Sequence, residues 1–120
     1  MTNPKHTQTR SLALLLTKKG MGQAEPEFQL TLLQKYLRLL EESDTLSEAI
    51  CLYAAGVKLV VGNFLVLDHL QRMESKGGYV LVCHTCLQYF GLTDRVRVGI
   101  VGGMTDIIAA QWKADKVITL

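Results

Sequence analysis

A chain of 120 residues and 13.3 kDa is long enough for one hydrophobic core and too short for two. With 48% apolar and 20% charged residues and only two prolines, it belongs with folded globular domains, not with disordered or low-complexity segments. Thirteen basic against eleven acidic side chains leave +2, too little for nucleic-acid or membrane-surface binding by bulk charge.

Met1 to Arg10 is polar and reads as a flexible tail, with residues 11–120 forming a single domain. Ser11 to Thr17 is a continuous apolar run, the pattern of a central parallel strand covered on both faces. Its core, Leu12 to Leu16, falls far short of the about 20 residues of a bilayer helix. Lys18 and Lys19 follow at once without a small-residue cleavage site, which argues against a signal peptide. Gly20-Met21-Gly22 breaks the strand. Pro26 then suits a first helical turn, Glu25 and Glu27 favour the positive end of its dipole, and Phe28, Leu32, Leu33, Tyr36, Leu37 and Leu40 predict a helix over 26–42.

The alternation repeats. Ala49 to Tyr53 predicts a second strand, ended by Ala55-Gly56, and Asn63 caps a helix carrying Phe64, Leu67, Leu70 and Met73. Tyr79 to Cys83 predicts a third strand, Cys86 to Phe90 a short helix stopped by Gly91, and Val96 to Val101 a fourth strand. Met104, Ile107, Ile108 and Trp112 mark one face of a last helix, with Trp112, Tyr36 and Tyr53 expected in the core, and Lys116 to Leu120 predicts the fifth strand. Five strands alternating with four helices imply a three-layer α/β domain of Rossmann or flavodoxin-like type on a mostly parallel sheet.

In such sheets, functional residues gather in loops beyond the carboxyl ends of the strands. The loop after the third strand reads Cys83-His84-Thr85-Cys86. A thiol in the first turn of a helix meets unpaired backbone N–H groups that favour its thiolate, and two thiols two residues apart can form a disulfide or pass sulfur between them. The bland alternative is that both are small buried side chains, as Cys51 is expected to be in mid-strand. His84 offers a local base or a solvated loop side chain. Lys58, after the second strand, offers a charge to lower a thiol pKa or a plain surface lysine. Gly20 and Gly22 offer an anion cradle ahead of a helix or a tight turn. Structural zinc needs four ligands, and neither Cys51 nor His6, His69 or His84 completes the pair at the usual spacing, so no metal is expected. Three cysteines are a poor disulfide framework, so a reducing cytoplasm is the expected compartment.

These residues in order give the chain a family character. Gly20-Met21-Gly22, Gly56-Val57-Lys58-Leu59, Cys83-His84-Thr85-Cys86-Leu87 leading to Tyr89-Phe90-Gly91-Leu92, and Ala114-Asp115-Lys116-Val117-Ile118 resemble the DsrE/DsrF-like sulfur-relay family over residues 11–120. They look closest to the carboxy-terminal domain of YedF-type proteins. The resemblance implies a Rossmann-like domain that forms homo-oligomers and a cysteine, Cys83, eight residues before Gly91, that carries sulfur as a persulfide. It assigns the second cysteine to Cys86. Three departures stand out. Phe90 replaces the arginine often found before that glycine, Ala54 stands where the YedF-type pattern has asparagine, and neither Pro4 nor Pro26 forms the Cys-Pro motif of a TusA-like domain. A separate TusA-like protein is therefore the expected donor or acceptor.

The leading expectation is a sulfur carrier or sulfurtransferase-like protein without a cofactor. A weak dithiol redox protein and a non-catalytic, oligomeric, anion-binding or assembly module are the alternatives. A thioredoxin architecture is excluded, because it needs a cis-proline late in the chain and no proline follows Pro26. The apolar segments around 57–66 and 87–92 and the last strand lead to an expected homo-oligomer, with the Cys83 loop near a subunit boundary.

Overall fold

The computed structural model describes residues 11–43, 49–62 and 65–120. They form five strands, β1 (Leu12–Leu16), β2 (Ala49–Leu52), β3 (Tyr79–Cys83), β4 (Ile100–Gly102) and β5 (Lys116–Thr119). Four α-helices accompany them: α1 (Pro26–Glu42), α2 (Leu65–Ser75), α3 (His84–Phe90) and α4 (Met104–Lys113). A seven-residue 3-10 helix spans Ala54–Val60 where the sequence predicts a loop, and a short one spans Thr93–Arg95. The sheet is wholly parallel, in the order β4-β3-β2-β1-β5. No described helix is long and apolar enough to cross a membrane.

Hydrophobic patterning explains the layers. β1 lies second from one edge, all five of its residues are buried, and its unbroken leucine-alanine run serves both faces. The successive strands β1 to β4 step one way across the sheet, so right-handed connections put α1, α2 and α3 on one face. The return from β4 to β5 crosses the sheet and puts α4 on the other. On the first face, Leu12, Leu14, Leu16, Ile50, Leu52, Val80 and Val82 meet Leu33, Leu37, Leu67 and Leu70 in one core. The α4 face follows from the register. One row runs Val117, Ala13, Ala49, Tyr79, and the next runs Thr119, Leu15, Cys51, Leu81, Ile100.

Three expectations are corrected. The fourth strand is only Ile100–Gly102: Gly99 takes φ +95, which ends extended pairing before it, and Arg97 N–H bonds the Val60 carbonyl at 2.8 Å instead of a strand. The short helix starts at His84, directly after Cys83, not at Cys86. Trp112 is 86% exposed. At about 100° per residue it lies about 140° around α4 from the buried Ile107, while the smaller Ala110 packs on the core. Tyr36 and Tyr53 do pack against the core. Asn63, Phe64 and the tail 1–10 lie outside the described residues.

Candidate functional site

The connections leaving β3 and β4 turn to opposite faces of the sheet, which opens a crevice at the carboxyl ends of these two neighbours. Cys83 and Gly102 are register partners there. Cys83 closes β3, caps α3 with extended backbone (φ −68°, ψ 118°) and is fully buried. Cys86 occupies the third position of α3 and is partly exposed. Both thiols are free, and they hydrogen-bond each other. Gly91 closes the helix at φ +68, and Leu92 N–H reaches back to the Leu87 carbonyl at 2.8 Å, so the thiol-bearing turn is anchored at its far end.

A second anchor comes from the 3-10 helix after β2. Ala54 N–H donates to Cys86 Sγ at 3.1 Å. Ala54 is the one non-glycine residue among those described with positive φ, at +51, in the left-handed region that glycine and asparagine tolerate best. Gly56 holds the segment down, since a Cβ there would lie 2.0 Å from the Leu16 carbonyl oxygen at the end of β1. Burial, the hydrogen bond to Cys83 and the nearby Cys83 charge raise the Cys86 thiol above its ordinary value, while the Ala54 N–H opposes them.

The other sequence candidates fall around this pair without all converging on it. His84 is exposed at the first position of α3. The Lys58 ammonium sits 4.4 Å from the centroid of the Phe90 ring, a cation–π contact, and Phe90 packs edge-on to Tyr89. Lys58 is therefore held on α3 through Phe90 and does not figure among the groups that shift Cys86. Gly20 and Gly22 belong to a tight turn at the end of β1. A Cβ on Gly20 would lie 2.4 Å from the Gln29 backbone, Met21 N–H bonds the Gln29 carbonyl, and Lys18 Nζ bonds the Gly22 carbonyl at 2.5 Å. The first helical residue of α1 is Pro26, which has no N–H to offer an anion, and Glu25 and Glu27 flank it.

Cys51 stands apart. It is fully buried in mid-strand, and burial pushes its thiol up to about 11. His69 joins Glu41 and Arg72 between α1 and α2, and His6 lies outside the described residues. Among the described residues no three His, Cys, Asp or Glu side chains converge as metal ligands. Sequence reasoning missed one part of the site, the Ala54 N–H on Cys86, which is a backbone group and carries no side-chain signal.

The comparisons bear on this fold. The E. coli ychN protein superimposes with a TM-score of 0.65 at 18% identity, covering 92% of this chain and 99% of that one. MTH1491, a protein of unknown function from Methanobacterium thermoautotrophicum, gives 0.66 at 16%, covering 92% and 99%. BT1422, a conserved protein of unknown function from Bacteroides thetaiotaomicron, gives 0.64 at 17%, covering 92% and 95%. These likenesses concern the fold. No curated protein matches significantly. The profile of the DsrE/DsrF-like family matches residues 2–120, and the chain belongs to that family.

Proposed function

We propose that the protein is a sulfur carrier in which Cys83 accepts sulfane sulfur and Cys86 serves as the second thiol. The observation that supports this reading best is the hydrogen-bonded pair itself: a buried Cys83 at a strand end, touching a more exposed Cys86 whose sulfur is held by a main-chain N–H. Membership of a family associated with sulfur relay supports it independently.

The steps balance as follows. The Cys83 thiolate attacks the outer sulfur of a donor persulfide, the donor's S–S bond breaks, and the donor leaves as a thiolate. Cys83 then carries –S–SH. An acceptor thiolate, on a TusA-like or similar protein, removes the outer sulfur by the reverse exchange, with no net oxidation. In a competing release, Cys86 attacks the inner sulfur, forming the Cys83–Cys86 disulfide and expelling hydrosulfide. An external dithiol must then supply two electrons to reset the pair. Burial shields the persulfide from water, and Lys58, held over Phe90, places a cation beside the loop.

Intact-mass measurement after incubation with a small-molecule persulfide donor should show a gain of one sulfur atom in the wild type and in Cys86→Ala, and none in Cys83→Ala. No adduct with several donors, or a full adduct in Cys83→Ala, overturns the reading. The same hydrogen-bonded pair also favours a dithiol redox couple. That reading requires the Cys83–Cys86 disulfide to equilibrate with glutathione buffers, which a carrier need not do.

A further inference from the structure

Two links tie the 3-10 helix after β2 to α3. Ala54 N–H donates to Cys86 Sγ at 3.1 Å, and four residues further along both elements the Lys58 ammonium lies 4.4 Å from the centroid of the Phe90 ring. Cys86 and Phe90 therefore share a face of α3, one turn or about 6 Å apart along its axis. Phe90 packs against the core and Tyr89 meets it edge-on at 5.0 Å, so the ring under the ammonium is a fixed platform. The ring takes one side of the ammonium and leaves its other N–H donors to whatever enters beside the thiols.

The surroundings leave this cation uncompensated. Residues 53–62 and 79–93 hold no aspartate or glutamate. The end of β1, which Gly56 abuts, continues into Lys18 and Lys19 and meets no acid before Glu25. No carboxylate among the described residues pairs with Lys58. Asp106, after β4, is tied to the Gly103 N–H at 2.9 Å and lines a groove with Ala49 and Tyr79 on the α4 face, away from α3. Lys58 does not figure among the groups that shift Cys86. Its charge thus stands to the side of the thiols, where the far end of a molecule would lie whose sulfur reaches them.

We propose that Lys58 selects the sulfur donor: it pairs with a carboxylate about five bonds from the donor's outer sulfur, so that small anionic persulfides load the protein in preference to neutral ones. A chain of that length spans about 6 Å, the interval from Cys86 to Phe90 along α3. The selection presupposes the sulfur-carrier activity proposed above and leaves its exchange unchanged. The Cys83 thiolate attacks the donor's outer sulfur, the donor's S–S bond breaks, and the donor leaves as a thiolate that keeps its carboxylate.

Loading rates of the full chain with two donors test it, read by quenched intact mass: the persulfide of 3-mercaptopropionate and the persulfide of its amide. Each rate is divided by that donor's rate with 2-mercaptoethanol, which removes the difference in leaving group. The wild type should favour the carboxylate donor about fivefold at low salt, the size of an exposed charge pair, and added salt should erode the preference. Lys58→Arg should keep the preference, and Lys58→Met should bring the two normalised rates together. Equal normalised rates in the wild type, or a preference that survives Lys58→Met, would overturn the selection and leave the carrier reading standing. Loading by neither donor would overturn the carrier reading and the selection with it.

Discussion

Gly56→Ala looks conservative and should be severe. The added Cβ would lie 2.0 Å from the Leu16 carbonyl oxygen, 2.7 Å from its carbon and 3.2 Å from the Thr17 nitrogen. Ordinary carbon–oxygen contacts begin near about 3.3 Å, so something must move by about 1 Å. The obstacle is the backbone of β1, which is paired on both sides and has five buried residues, so β1 cannot yield cheaply. The Ala54–Val60 segment must lift instead, and it carries Gly56, Val57, Leu59 and Val60, all buried. Overpacking of this kind costs typically 1–3 kcal/mol, and a backbone-on-backbone clash belongs at the top, about 3 kcal/mol. For a chain of this size that is a fall of roughly 12 °C in Tm. Urea unfolding followed by far-UV circular dichroism reads it directly. A variant within about 0.5 kcal/mol of wild type would show that the close approach of this segment to β1 does not hold the site.

Ala54→Gly keeps the N–H to Cys86 and removes the left-handed cost of about 1–2 kcal/mol, less about 0.4–1 kcal/mol of extra unfolded-state entropy. The expected net gain is about 0.5–1 kcal/mol by urea denaturation, and a loss would refute strain at this residue. Glu41, bridged to Arg72 at 3.0 and 3.1 Å and to His69, is held down to about 2 by the Arg72 hydrogen bond against the opposing effect of burial. A lowered folded-state pKa gives stability that is present in full above about 4.5 and fades as pH falls toward 2. Glu41→Gln should therefore cost roughly 1–3 kcal/mol at pH 7, and its urea midpoint should converge on wild type in strong acid. A constant gap across that range would contradict the ion-pair account. Cys51, buried with its thiol pushed up to about 11, should resist iodoacetamide in the native protein and react only on unfolding. Peptide mapping that finds native Cys51 alkylated as fast as Cys86 would refute its burial.

The layered architecture was legible because its signals are local. The unbroken run Leu12 to Leu16 marked a two-faced strand, and Pro26 with a helical apolar stripe gave α1 its observed limits, Pro26–Glu42. Tyr79 to Cys83 was likewise bounded by Gly78 on one side and the thiol turn on the other. The failures come from forces that local pattern does not record. Val96 to Val101 has strand composition, but the positive φ of Gly99 and the Arg97–Val60 hydrogen bond claim its first part. Met104, Ile107, Ile108 and Trp112 are spaced as a core stripe, yet of the four only Ile107 is buried, with Ala110 packed on the core beside it. At the site, side-chain identity exposed Cys83 and Cys86. It could not show that Lys58 would settle on Phe90, that Ala54 would donate its N–H to Cys86, or that Glu41 would join His69 and Arg72 across two helices.

Locating the transferred sulfur tests the central claim most directly. The wild-type chain, loaded with a persulfide donor and trapped by alkylation, is digested and fragmented to assign the added sulfur to a residue. The account predicts it on Cys83, with the Cys83–Cys86 disulfide as the product that accumulates when the load is released without an acceptor. Added sulfur found on Cys86 or Cys51 while Cys83 stays unmodified would contradict it.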